Sequence, residues 1–249
     1  MCGRFTYKMT WAEIHDLLEE FAVAVDAIGA GVAEHPARYN IAPTQPIVVL
    51  FEQRGKREAR LMRWGLVPSW VKDPRAFSLI INARVETLLE KPSFRGGMQH
   101  HRCLVPASGY YEWRTGPDGK KQPFYMTPKD GRPLMLGGVY STWMGASGEE
   151  IDTTAIITLP SSGDMRAIHD RMPAMIPHQM LDDWLAVGKV DVKAGMRILA
   201  EAAEEGRLDL TPVSTRVNSN RNDGPDLIAP VTEEKPVPPK KAGGQGELF

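Results

Sequence analysis

The chain has 249 residues, 42% of them hydrophobic and 24% charged, a balance typical of an ordinary soluble globular protein. Its formal net charge of -1 excludes a nucleic-acid surface built on bulk charge, so any such site must come from locally clustered arginines. The two cysteines, Cys2 and Cys103, make neither a disulfide framework nor a metal-ligand pair of the CxxC type.

Taken in chain order, Thr10-Trp11-Ala12-Glu13 has the spacing of a helix capping box. Ile14, Leu17, Leu18 and Phe21 then recur at helical spacing, which predicts an amphipathic helix. Glu19, Glu20 and Asp26 break the apolar stretch 17–33, so it is no membrane span. With no secretory signal either, the expected location is cytoplasmic and reducing. Short apolar runs follow at 47–51, 61–64, 79–81, 103–105, 124–126, 134–139 and 154–159, separated by Pro and Gly punctuation. Many short strands with turns between them predict a curved, mostly antiparallel, barrel-like sheet. A second helix is predicted from about 192 to 204, with a closing strand at 210–213. No linker interrupts the chain before about residue 220, and no internal repeat is present. The expected architecture is a single α+β domain over residues 1–225, with helices flanking the sheet.

Residues 226–249 are expected to form a disordered tail, because a run such as Glu-Glu-Lys-Pro-Val-Pro-Pro-Lys-Lys-Ala-Gly-Gly buries no core. The tail ends Gln245-Gly246-Glu247-Leu248-Phe249. These five residues resemble the short peptide by which bacterial replication and repair proteins dock on the sliding clamp, with Gln245, Leu248 and Phe249 as anchors. A Leu-Phe tip on a tether suits a hydrophobic pocket on a partner; the alternative is a chance ending.

Several positions carry chemistry. Removing Met1 would leave Cys2 first in the chain, with an α-amine of reference pKa about 7.7–8.0 beside a thiol of about 8.5. Such a residue condenses with an aldehyde to an imine and closes through its thiol to a five-membered thiazolidine. The plainer reading is a chance cysteine at a frayed end. Asn82, after the apolar run 79–81, either caps a turn or orients a small polar group, and Arg84 shares its face if a strand continues. Glu112, in Tyr110-Tyr111-Glu112-Trp113, is either a buried ion-pair partner or an acid/base with a raised pKa. His169, in His169-Asp170-Arg171-Met172-Pro173, is suited to proton transfer near neutral pH, or is a loop histidine satisfied by a carbonyl. Asp170 and Arg171 are its orienters or simple surface charges. His100 and His101 near Cys103 lack a fourth ligand at a recognised spacing and read as structural, not as a metal site. Arg4, Arg63, Trp64, Trp70, Arg75, Arg84, Arg95, Trp113 and Arg166 interleave cations with aromatics, as in a groove for single-stranded nucleic acid.

Six stretches, in order, resemble the SRAP ("SOS response-associated peptidase") family: Met1-Cys2-Gly3-Arg4-Phe5, Tyr39-Asn40-Ile41-Ala42-Pro43-Thr44, Arg63-Trp64-Gly65-Leu66-Val67-Pro68-Ser69-Trp70, Asn82-Ala83-Arg84-Val85-Glu86-Thr87, Cys103-Leu104-Val105-Pro106-Ala107-Ser108-Gly109-Tyr110-Tyr111-Glu112-Trp113 and His169-Asp170-Arg171-Met172-Pro173. The resemblance implies a sensor of abasic sites in single-stranded DNA that crosslinks through Cys2 as a thiazolidine. It implies that Glu112 shuttles protons, that His169 helps open the sugar ring, and that Asn82 positions the amine or sugar. Arg4, Arg84 and Arg95 would hold phosphates, Trp70 and Pro43 would shape the base-side wall, and Thr158 joins the DNA-binding set. No metal or organic cofactor is implied, and the expected protein is a nucleoid-associated monomer. A thiol (auto)peptidase using Cys2 and a non-covalent single-strand binder are the alternatives. If the tail tip is a clamp ligand, deleting residues 245–249 abolishes binding to the purified bacterial clamp in surface plasmon resonance and leaves crosslinking of abasic DNA unchanged; equal clamp binding by the full and shortened chains removes that assignment.

Overall fold

The computed structural model describes residues 2–202 and 208–232, so the predicted clamp-binding tip lies outside the described residues. The chain opens with β1 (Phe5–Tyr7), α1 (Trp11–Glu20), β2 (Ala27–Ile28) and β3 (Arg38–Ile41). A long hairpin, β4 (Pro46–Gln53) and β5 (Lys56–Trp64), is followed by the short β6 (Asn82–Arg84), α2 (Pro92–His100) and β7 (Arg102–Ala107). Next come β8 (Gly109–Thr115), β9 (Lys121–Pro128), β10 (Leu134–Met144), β11 (Glu150–Pro160) and β12 (Arg171–Pro173). The helices α3 (Leu181–Leu185) and α4 (Val192–Glu201) precede the last strand, β13 (Leu208–Pro212).

Two sheets make one mixed α+β domain. In the larger, β11, β10, β7, β4 and β5 are successive antiparallel neighbours. Strand β5 then returns to β11 through a parallel pairing, Thr153 opposite Arg63 and Thr154 opposite Trp64, which closes a five-stranded barrel. Closure removes both free edges from those strands. The strong curvature this demands is met in β10, where a Cβ on Gly138 would lie 2.9 Å from the Ala155 carbonyl oxygen and 3.0 Å from Cys103 Sγ. The second sheet, ordered β13-β9-β8-β1-β3, is antiparallel throughout. Phe5 of this sheet meets the buried Trp64 of the barrel edge-on, ring centroids 5.2 Å apart.

The predicted capping box is present: the Thr10 hydroxyl accepts from the Glu13 N–H at 3.2 Å, and Glu13 Oε2 accepts from the Thr10 N–H at 2.7 Å. Ile14, Leu17 and Leu18 form the buried face of α1. The run 79–81 is not a strand: Ile80 makes only an isolated bridge to Leu66, and the ladder with β11 begins at Asn82 opposite Ile156. The second predicted helix is found as α4, and residues 203–207 lie outside the described residues. Packing continues past residue 225, with Leu227 buried and Val231 N–H bonded to the Pro212 carbonyl at 2.9 Å. Among the described residues no helix is long and apolar enough to cross a membrane.

Arg102 is fully buried and joins the helices to the barrel. Its guanidinium donates to the carbonyls of Trp184 (2.8 Å), Val190 (3.0 Å) and Met98 (3.3 Å). Arg102→Met strands three buried acceptors, so urea unfolding should show a loss of about 2–4 kcal/mol.

Candidate active site around Cys2

The second residue of a chain usually frays. Here Cys2 is 0% exposed, because the strand that follows it is inserted between two others. Strand β1 pairs with β8 on one side, Phe5 opposite Tyr110, and with β3 on the other, Phe5 opposite Ile41. The Arg4 carbonyl accepts from the Tyr111 N–H at 2.9 Å, while the Arg4 N–H donates to the Cys2 sulfur. The barrel supplies the opposite wall. Trp64 Nε1 donates to the Ile81 carbonyl at 3.0 Å and so places the start of β6, where Asn82 Nδ2 donates to the Cys2 carbonyl at 2.9 Å. Asn82 Oδ1 is buried and has no hydrogen-bond partner among the described residues, which leaves an acceptor suited to an incoming N–H.

Glu112, on β8, is 2% exposed. Burial pushes its carboxyl pKa up, against the opposing pull of the chain's amino terminus and of His169. The Cys2 thiol is also pushed up, first by burial and then by the negative charge of Glu112. Between them Tyr110, fully buried, has its hydroxyl raised by burial and by the charges of Cys2 and Glu112, and it donates to Met165 Sδ at 3.6 Å. Cys2, Tyr110 and Glu112 therefore act on one another in one buried region.

His169 reaches the same pocket from the loop after β11. Its Nδ1 accepts from the Arg171 N–H at 3.0 Å and lies 2.8 Å from Asp170 Oδ1. Nδ1 accepts in the neutral ring, whereas an Nδ1–H would donate to the Asp170 carboxylate. Arg171 is no surface charge: its buried guanidinium pairs with Glu86 and donates to the Thr158 carbonyl at 2.6 Å. Of the predicted orienters, Asp170 is exposed and Arg171 acts through its backbone.

The other expected site residues are placed as follows. Arg84 is exposed at the end of β6, and Asn82 and Arg84 share one face while Ala83 is buried on the other. Thr158 is fully buried opposite Arg84, with its hydroxyl accepting from Arg171 at 3.3 Å. Trp70 is 59% exposed and meets Phe77 edge-on at 5.8 Å. Pro43 is half-buried before Thr44, whose φ of 75° is a strained conformation for a β-branched residue. Arg95 is exposed on α2, which packs on β7, β10 and α4. The Arg4 guanidinium is bonded to Asn40 Oδ1 and the Val217 carbonyl, each at 2.7 Å. His100, His101 and Cys103 do not converge: Cys103 Sγ sits 3.3 Å from Thr154 Oγ1, and His101 packs edge-on against Tyr140.

Asn40 and Tyr110 escaped the sequence reading as site residues. No residue-type signal set Tyr110 apart, and the partners of Asn40 lie up to 182 residues away.

The family described as "SOS response associated peptidase (SRAP)" matches residues 1–220. The chain belongs to the SRAP family. It is 34% identical over 228 residues to the abasic site processing protein YoqW of Bacillus subtilis, covering 92% of this chain and 99% of that protein. It is 31% identical to the abasic site processing protein YedK of Escherichia coli, covering 93% of this chain and all of the other. Chicken (Gallus gallus) HMCES, another abasic site processing protein, is 34% identical over 68% of this chain and 56% of its own. Among solved structures, a protein from Bacteroides thetaiotaomicron superposes with a TM-score of 0.74 at 23% identity, covering 93% of this chain and all of the other, and shares the fold. A phage-related protein from Bordetella bronchiseptica gives 0.67 at 28% identity, covering 85% and 94%.

A raised carboxyl pKa means that the folded SRAP chain keeps a proton that the unfolded chain loses near pH 4.3. Stability from this group is therefore complete below that pH and falls as pH rises through the folded value. Glu112→Gln removes the loss, so in urea titrations the variant should match wild type near pH 4 and exceed it near pH 8. A gap that does not change with pH would assign the stabilisation to something other than buried charge.

Proposed function

We propose that this SRAP protein captures abasic sites in single-stranded DNA by forming a covalent thiazolidine at Cys2 once Met1 is removed. The observation that carries the reading is a buried Cys2 whose carbonyl is held by the Asn82 amide and whose thiol feels the charge of the buried Glu112. Relatives named as abasic site processing proteins across bacteria and animals support the substrate.

The abasic deoxyribose is a closed hemiacetal in equilibrium with a small fraction of open aldehyde. His169 gives a proton to the ring oxygen as the ring opens. The Cys2 amine adds to C1′, and the carbinolamine takes a proton from Glu112 and loses water to give a protonated imine, leaving Glu112 ionised. A carboxyl whose pKa is raised holds that proton closer to neutral pH than an ordinary glutamate does. The thiol then adds to the imine carbon. Its proton passes to Glu112 and the imine nitrogen becomes a secondary amine, so the net change is aldehyde plus cysteine to thiazolidine plus one water. Asn82, bonded to the Cys2 carbonyl, fixes the direction from which the amine approaches. Holding the two reactants together supplies an advantage of up to about 7–11 kcal/mol in ideal intramolecular cases.

A trans-acting thiol peptidase fits less well. Such enzymes work through a thiolate whose pKa is lowered by a neighbouring imidazolium. At Cys2 burial and the Glu112 charge push the other way. That suits a nucleophile whose first step uses nitrogen rather than sulfur.

Cys2→Ala should abolish the denaturation-resistant adduct with an abasic oligonucleotide, read by intact mass, while single-strand affinity stays within about twofold because phosphate contacts carry it. Cys2→Ser should give only a weaker adduct. Wild-type affinity should fall steeply between low and physiological salt, and Arg84→Ala should weaken binding and flatten that slope by about one unit. A covalent species that persists without Cys2, or an affinity indifferent to salt, would sink the proposal.

A further inference from the structure

One buried polar cluster has no part in the chemistry above. Asn40, on β3, is 1% exposed, and its amide has partners on every side. Its Oδ1 accepts from Arg4 Nη1 at 2.7 Å. Its Nδ2 donates to the carbonyls of Asn222 (2.8 Å), Ser219 (3.0 Å) and Val217 (3.3 Å). Arg4 Nη1 also donates to the Val217 carbonyl at 2.7 Å, and Nη2 reaches that of Asn218 at 3.4 Å. The same turn is gripped from β8 by Trp113 Nε1, which donates to Asn218 Oδ1 at 2.7 Å. Asp223 completes the arrangement by accepting from the Tyr39 N–H at 2.6 Å and pairing with Arg38.

Arg4 stands between this cluster and the reacting residue. Its N–H meets the Cys2 sulfur, and its carbonyl takes the N–H of Tyr111, the residue before Glu112. A guanidinium is a rigid planar fork, so anchoring its end limits where its backbone sits. We propose that Asn40 is a positioning residue for the reaction of Cys2: through Arg4, and backed by the turn 217–222, it sets the spacing between Cys2 and the strand that carries Glu112. The inference rests on the crosslinking reading above. It gives the Arg4 side chain a task inside the protein, and it makes a segment near residue 220 part of the machinery at residue 2. Such supports matter because a misplacement of about 1 Å costs on the order of 100-fold in rate.

The test compares full-length wild type, Asn40→Ala and Arg4→Lys, each shown by mass to have lost Met1. Lysine keeps the charge but not the fork that spans Asn40 and Val217. Single-turnover crosslinking over a range of abasic oligonucleotide concentrations separates the maximal rate from the half-saturating concentration. Iodoacetamide labelling of Cys2 against pH, located by peptide mass to separate it from Cys103, reports the thiol itself. Both variants should keep the half-saturating concentration within about threefold, since phosphate attraction depends on charge. Their maximal rates should fall about 10–100-fold. The labelling midpoint should move to higher pH, because a loosened N–H at residue 4 supports the thiolate less. A wild-type rate in Arg4→Lys overturns the inference. So does a rate loss matched by weaker DNA binding with an unchanged labelling profile, which would make Arg4 a phosphate contact. If Asn40→Ala fails to fold, Arg4→Lys decides alone. If wild type forms no adduct, the crosslinking reading fails, and the labelling profile still decides whether Asn40 positions the thiol.

Discussion

The site depends on one constraint, the insertion of a three-residue strand near the start of the chain between β8 and β3. A chain end normally keeps its conformational freedom, and ordering each residue costs about 1–2 kcal/mol of backbone entropy. Here the loss is offset by ladder bonds on both sides, by burial of Phe5 and Tyr7, and by the contact of Phe5 with Trp64. Once β1 is seated, Cys2 has nowhere to go but the gap between the barrel and the second sheet. Asn82 and Glu112 reach that gap from the two walls.

The pocket departs from what stability alone would select. A buried carboxyl, a buried thiol and a buried tyrosine hydroxyl repel one another's charged forms, and all three have pKa values pushed up. The consequence is a set of groups whose protonated forms are favoured by burial. The proposed reaction is helped by that state, since the carbinolamine must lose water and the imine must not be hydrolysed before the ring closes. The stability given up at Glu112 is of the kind that recurs at functional sites.

Around the pocket the supports come from distant parts of the chain. His169 is set by the backbone of Arg171, and the Arg171 side chain is tied to β11 and Glu86. Cys2 is set by Arg4, and Arg4 by Asn40 and the turn after β13. His169 thus has a buried arginine one step behind it and Cys2 a half-buried one. Arginine suits both posts because its planar fork binds several acceptors at once and keeps its charge when desolvated.

Local patterns in the sequence were enough for the parts whose causes are local. The capping box at Thr10 and Glu13 and the apolar face of α1 follow from residues three and four apart, and both form as written. Alternating apolar runs and turns specified a curved, mostly antiparallel sheet because strand period and turn chemistry are read within a few residues. Closure into a barrel was not legible: the parallel pairing of β5 with β11 joins segments 90 residues apart, as Arg63 meets Thr153. Nor was the beginning of β6 at Asn82 rather than at 79, since it depends on where β11 offers a partner. By itself the sequence determined which chemical groups are available: an amine beside a thiol at Cys2, a carboxyl at Glu112, an imidazole at His169 and an amide at Asn82. Only the tertiary structure decided that they come together around Cys2, that Arg171 and Thr158 bind each other, and that Asn40 holds Arg4. Those outcomes depend on burial and on hydrogen bonds between separate elements, spanning 182 residues from Asn40 to Asn222, and no local pattern in the chain encodes them.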